Sequence, residues 1–285
     1  MSETKDQALS GVAETLLITL YIRAMESQRP DALIKDERAE ALVKKISDDG
    51  FYDFDRMASL HLSEANKLVI ILRNREFDRY ARDFLGRHAD AVVVHIRCGL
   101  DTRFERVDNG LVEWYDLDLP EVIELRRKLF GDEGERYHLL GCSVFEEAWL
   151  ETLSAYRQRP FLFLAEGVFM YFEGAQVKSL VLRLFDRFPG SELVFDSYSP
   201  IHVWRHNLQT STSKIDLHVR WGIWRGQEIE SWGRQGTGGG IRLLDEWGFM
   251  DDPTPHLDRI RWLRSIEALA RTMRLYHFQL GKAAG

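Results

Sequence analysis

Two hydrophobic rhythms divide this chain. Up to about residue 88 the apolar positions recur at helical spacing and nothing alternates with period two. An apolar-rich segment runs from Val12 to Met25, and the acid- and lysine-rich 36-DERAEALVKKI-46 follows Pro30. From Ser63 to Leu85, residues Ala65, Leu68, Val69, Leu72 and Phe77 roughly keep one helical face. Beyond residue 88 the rhythm changes to short apolar runs at 91-AVVVHI-96, 111-LVEWYDL-117, 136-RYHLL-140, 160-PFLFLAE-166 and 192-ELVFDSY-198. Helical patterns separate them. Pro120 to Phe130 carries proline in its first turn, and Glu173 to Phe188 stacks Val177, Leu180, Val181, Leu184, Phe185 and Phe188 before stopping at Pro189-Gly190. Strands alternating with helices of this length predict βαβ units, a mostly parallel sheet and right-handed crossovers.

After Pro200 the alternation lapses. Residues 201–240 hold Trp204, Trp221, Trp224 and Trp232, several histidines and the glycine-rich 236-GTGGG-240, which read together as an inserted lid. Helices are expected near 240-GIRLLDEW-247 and 256-HLDRIRWL-263, and a last strand at 273-MRLYHFQL-280. The expected organisation is therefore a helical cap over 1–88, a ligand-binding α/β core over 89–200, a lid over 201–240 and a completion of the sheet over 241–285.

Composition narrows the class. At 285 residues the chain can bury a substantial core, and its formal net charge of −7 argues against a nucleic-acid surface. No run approaches the ~18 apolar residues of a membrane span, and the first residues lack a signal-peptide pattern. Two cysteines, Cys98 and Cys142, give neither a disulfide framework nor a zinc set. A cytoplasmic protein without a metal site is the expectation, with a homodimer as an open assembly.

In open α/β sheets ligands bind where the strands end, at the topological switch point, and four strand ends here carry candidate chemistry. In 97-RCGLDTR-103, Gly99 would let a ligand approach the backbone, although it and Asp101 would equally cap a turn and a helix. In 116-DLDLP-120, Asp118 lies nineteen positions beyond Gly99, the spacing of an acid that holds ribose hydroxyls; it would equally cap the helix opening at Pro120, and Asp116 could substitute. Ser143, in 141-GCSV-144, either caps a helix or grips a purine edge. Glu166, in 164-LAEGVFMYF-172, ends an apolar strand, where a carboxylate must be paired or face a cation.

The blocks 73-RNREFD-78, 98-CGLDTRF-104, 114-WYDLDLPEVIELRR-127, 165-AEGVFMYF-172 and 193-LVFDSYSP-200 resemble those of the leucine carboxyl methyltransferases and tetracenomycin-type polyketide O-methyltransferases, in order and spacing, from about residue 10 to the end. The resemblance implies a Rossmann-like methyltransferase sheet with an antiparallel final strand, S-adenosylmethionine as donor, and transfer to oxygen. It further implies that Arg73 meets the methionine carboxylate, that Arg97, Cys98 and Gly99 form the donor loop, that Asp118 and Leu119 hold the ribose, that Ser143 and Val144 flank the adenine, and that Glu166 sits near the methionine amine and sulfonium. Two positions depart from the family pattern: Arg97 replaces a glycine or other small residue, and Ser143 replaces an acid.

The acceptor is expected to be a small molecule, a carboxylate or a phenol of polyketide type. A carboxylate needs no base because it is already ionised. A phenol would be helped by one, and Tyr198, His202 and His206 follow the fifth strand closely enough to serve. Arg205 or Arg220 could pair with an acceptor carboxylate. Two alternatives stand beside this reading: a protein C-terminal carboxyl methyltransferase, and a non-catalytic binding protein whose cofactor site is filled by Arg97.

Overall fold

The computed structural model describes residues 11–54, 63–131, 133–210, 218–233 and 239–282. Among the described residues three helices come first: α1 (Gly11–Ser27), α2 (Glu37–Asp48) and α3 (Glu64–Arg87). The second is capped by the Asp36 carboxylate on the Ala39 N–H and the third by the Ser63 hydroxyl on the Asn66 N–H, which satisfies otherwise unpaired amides. Leu17, Leu20 and Ala24 of α1 pack against Ala39, Leu42, Val43 and Ile46 of α2, and the same cluster includes Leu100 and Leu129. The helical cap is thus continuous with the core behind the first strand.

The alternating part then runs β1 (Val92–Ile96), α4 (Arg103–Val107), β2 (Glu113–Asp118), α5 (Pro120–Phe130), β3 (Tyr137–Gly141), α6 (Ala148–Leu153), β4 (Phe161–Ala165), α7 (Gly174–Arg187) and β5 (Ser191–Tyr198). After α8 (Pro200–Thr210), β6 (Ile241–Gly248) and β7 (Met273–Leu280) complete a seven-stranded sheet in the order β3-β2-β1-β4-β5-β7-β6. Strands β1 to β5 are parallel, and β7 lies antiparallel between β5 and β6. β1 and β4 are buried at every position, as expected for parallel strands covered on both faces. One face packs Trp149, Leu150 and Leu153 with Val177, Leu180, Val181 and Leu184; the other packs Phe77, Tyr80, Ala81 and Phe84 of α3.

Two expectations near the C-terminus are corrected. Residues 241–248 form strand β6 and not a helix. β6 is a sheet edge, exposed on one side, so it carries charged residues, and a bulge between Leu243 and Asp245 breaks the alternation that would have marked it as a strand. Residues 256–263 form no continuous helix either: two short 3₁₀ turns, Pro255–Leu257 and Arg261–Ser265, flank Asp258. The apolar residues Leu257, Ile260, Leu263 and Leu269 pack into one cluster and recur at multiples of three, the 3₁₀ period, and the backbone bonds there run i to i+3. Within the expected lid, Trp221 and Trp232 pack onto the sheet core and Trp204 is 67% exposed on α8. Residues 211–217 and most of the glycine-rich joint lie outside the described residues. No helix among the described residues is long and apolar enough to cross a membrane.

Candidate active site

The strand order reverses between β1 and β4, and there the carboxyl ends of β2, β1, β4 and β5 open onto a cavity of about 480 Å³. Its wall follows the sheet: Asp118 from the end of β2, Arg97 to Asp101 after β1, Glu166 to Val168 after β4 and Tyr198 ending β5. α1 closes it from above through Thr15, Leu16, Thr19 and Arg23, and α3 contributes Arg73 and Asn74.

The loop after β1 is held by its neighbours. Gly99 adopts φ +53, which favours glycine, and a Cβ there would stand 2.6 Å from Leu16 Cδ2, so the Leu16 side chain of α1 would have to turn aside. Its N–H donates to Asp118 Oδ2 at 2.9 Å, and the Leu119 N–H donates to Oδ1 at 2.8 Å. Arg126 of α5, buried, donates to the carbonyls of Gly99 and Asp101 at 2.7 and 2.9 Å. Asp118 therefore faces the cavity and is not the cap of α5, a position taken by Leu119. Asp116 does not substitute for it: Arg126, Tyr137 and the Trp114 indole consume that carboxylate in the interior. Burial pushes the Asp118 carboxyl above its ordinary value, against the opposing charge of Arg97 and the two amides.

Arg97 takes φ +57 and is the one non-glycine residue with positive φ among the described residues. Such a backbone costs roughly 1–2 kcal/mol for a residue with a Cβ. Its guanidinium is 31% exposed, lines the cavity, and lies 3.4 Å from Asp118 Oδ1 without hydrogen-bond geometry. The departure noted in the sequence thus falls at the left-handed position that favours glycine.

Behind the loop lies a buried ion network that the sequence did not announce. Arg103 donates to Asp78 (2.8 Å) and Glu166 (2.6 Å) and pairs with Asp101 (3.1 Å), while its NH1 meets His95 Nε2 at 3.3 Å. Arg106 joins Asp78, Asp36 and Asp101. Arg23 joins Asp36 and the Leu100 carbonyl. Although burial opposes ionisation, Arg103 and Arg106 hold Asp101 well below the usual carboxylate range, and the same arginines lower Asp78. The signal was available: Arg103 and Arg106 stand one turn apart after the loop, and buried guanidinium groups require several acceptors.

Glu166 accepts from Arg73 Nε (2.9 Å) and Asn74 Nδ2 (2.7 Å) as well as from Arg103. Arg73 also donates to Asp196 Oδ2 at 3.2 Å, and Asp196 Oδ1 accepts the Gly167 N–H at 2.6 Å. At the β5 end the lining changes to Met170, Tyr171, Phe172, Tyr198, His218 and Arg220. Burial pushes the Tyr198 phenol up to about 12, with Arg73 opposing the shift, so it is protonated at neutral pH.

Of the sequence candidates, Arg73, Arg97, Cys98, Gly99, Asp118, Glu166 and Tyr198 come together on this cavity, with Arg220. The others do not line it. Leu119 starts α5; the Ser143 hydroxyl accepts from the Phe145 N–H at 3.3 Å; Val144 is core. His202 stacks on Tyr198 at 4.6 Å between ring centroids, one layer behind the wall, and His206 follows at 6.2 Å from His202. Burial, with His206 and Arg205 beside it, lowers the His202 pKa. His218 lines the cavity and was missed, because nothing in its immediate sequence distinguishes it.

Residues 16–185 match the family model described as leucine carboxyl methyltransferase. A Streptomyces glaucescens tetracenomycin polyketide synthesis O-methyltransferase is 35% identical over 246 residues, covering 86% of each chain. A Gibberella zeae S-adenosyl-L-methionine-dependent methyltransferase is 33% identical over 202 residues, covering 66% of this chain and 67% of that protein. A solved structure from Thermobifida fusca, described as a candidate methyltransferase, shares the fold with a TM-score of 0.58 at 15% identity, over 99% of this chain and 97% of that one. With its seven-stranded sheet and its sequence match over more than half its length, the chain belongs to the leucine carboxyl methyltransferase family.

Proposed function

We propose that the protein is an S-adenosylmethionine-dependent O-methyltransferase acting on a small molecule, a carboxylate or phenol of polyketide type. The observation that carries this reading is a cavity whose lining changes along the sheet, from Asp118 and Gly99 at β2 and β1 to Tyr171, Tyr198, His218 and Arg220 toward β5. The donor fits the first half: a positive-φ glycine beside the Asp118 carboxylate suits the nucleoside, and Glu166 suits the ammonium and sulfonium of the methionine end. The acceptor would take the second half.

When bound, the donor supplies a methyl group on a sulfonium, and the chemistry is an in-line displacement by oxygen. The chain's own task is then to align the acceptor oxygen and exclude water. α1 roofs the cavity, and Phe172, Met170 and Tyr171 give the β5 end an apolar lining. Arg220 would pair with an anionic acceptor. Tyr198, protonated at neutral pH, would donate a hydrogen bond and would not act as base. For a phenol acceptor His218 is the lining histidine with an open approach, since His95 is locked between Arg103 and Asp116. The family's description favours a second reading, methylation of a protein C-terminal carboxylate. Label transfer from methyl-labelled donor to a panel of aromatic acids and phenols, run beside peptides ending in leucine, tests both. Transfer to peptides alone overturns the small-molecule reading, and transfer to neither class, with donor bound, overturns both.

A further inference from the structure

Asp118 has limited capacity. A carboxylate offers about four lone-pair sites, and the Gly99 and Leu119 amides already take one on each oxygen. A ribose diol would need the remaining two. Arg97 stands 3.4 Å from Oδ1, so a ribose hydroxyl approaching that oxygen competes with the guanidinium for the space beside it.

Among the arginines lining the cavity, the commitments are unequal. Arg73 is held by Glu166 and Asp196, and Arg23 by Asp36 and the Leu100 carbonyl. Arg220 sits at the β5 end, its N–H on the Met170 carbonyl and its guanidinium on Glu173. Arg97 has one ion pair among the described residues, and that pair lacks hydrogen-bond geometry. It also follows β1, which lies between β2, where Asp118 ends, and β4, which leads into Glu166. Its left-handed backbone is a cost that needs a return, since such strain persists where the surroundings and function require it.

We propose that Arg97 is a switching clamp: it holds Asp118 in the free protein, yields that carboxylate to the ribose hydroxyls, and turns to the carboxylate of the donor's amino-acid tail. The inference rests on the donor site proposed above. The guanidinium keeps a carboxylate partner, because it exchanges one for another, while Asp118 retains the Gly99 and Leu119 amides and gains the ribose hydroxyls; the planar fork of arginine suits bidentate pairing.

Two probes separate the halves of the switch. S-adenosylhomocysteine has both the ribose and the amino-acid carboxylate, whereas 5′-methylthioadenosine has the ribose alone. Calorimetric titration of the full-length protein is compared with Arg97→Asn, which tolerates the left-handed backbone without charge, and Arg97→Lys, which keeps the charge without the fork. The expected result is S-adenosylhomocysteine weakened about ten-fold or more in Arg97→Asn, methylthioadenosine tightened several-fold, and Arg97→Lys intermediate. Tightening of both ligands would make Arg97 an obstruction and overturn the clamp, as would no change in either. If the unmodified protein binds neither probe, the donor reading falls and the clamp with it.

Discussion

On the β1 side of the cavity the charged side chains sit in buried, shared arrangements: Arg103 meets four partners, Arg106 three carboxylates, and Arg126 two loop carbonyls and Asp116. On the β5 side one buried carboxylate, Asp196, pairs with Arg73, but the charge supplied by Arg220 is sparsely held. Arg220 is 52% exposed and meets Glu173 at 3.3 Å, and α8 presents Ile201 and Trp204 to solvent. A buried ion is costly unless several partners are fixed around it, so the first wall is over-determined and intolerant. The second can vary its residues at little cost in stability. That division suits a protein whose donor is constant and whose acceptor is particular to it.

The contrast breaks most visibly at Arg103. Replacing it with Leu leaves Asp78, Asp101 and Glu166 short of a buried partner, and urea unfolding should show a loss of about 3–5 kcal/mol; a loss under about 1 kcal/mol would mean that the wall is not over-determined. Gly99→Ala comes next. It sets a Cβ at φ +53 against Leu16, and about 2 kcal/mol should be lost, with S-adenosylhomocysteine binding weakened in the same variant.

A pH series sharpens the comparison within the β1 wall. The folded pKa values of Asp78 and Asp101 are depressed, so their contribution is full above the ordinary carboxylate value and is lost only as pH falls through the lower folded values. Asp118 is shifted the other way, so it protonates at higher pH than an ordinary aspartate. Affinity for S-adenosylhomocysteine should therefore fall on acidification while circular dichroism still reports an intact fold. Loss of both signals together would remove the distinction. The smallest effect is expected at Arg220→Ala: a stability change within about 0.5 kcal/mol, unchanged S-adenosylhomocysteine affinity, and a raised KM for an anionic acceptor.

Most of the parallel core was legible because buried strands and amphipathic helices have different periods, and proline and glycine punctuate them. β6 was not, since an exposed, bulged edge strand satisfies its backbone through β7 and leaves no period of its own. Asp118 and Gly99 were readable as a pair, but that Asp118 and not Asp116 lines the cavity depends on Arg126 and Tyr137, which reach Asp116 from other elements. The carboxylate of Glu166 was visible, whereas its three partners come from two other elements, α3 and α4. Spacing along a chain reports residues that share an element. It is silent on side chains that reach the cavity only when elements pack, such as His218.

The seat of α1 has a consequence for the order of assembly. Arg23 hydrogen-bonds the Leu100 carbonyl across 77 positions of sequence, and Leu16 lies against Gly99. During synthesis α1 leaves the ribosome long before the loop it covers exists. At about 5–20 residues per second, α1 waits roughly 4–16 s with its apolar face served by α2 and α3 alone. The element that roofs the cavity is therefore made well before the loop it rests on and cannot seat until that loop exists. A nascent chain paused before β1 should leave α1 open to proteases, and one extended past α5 should protect it.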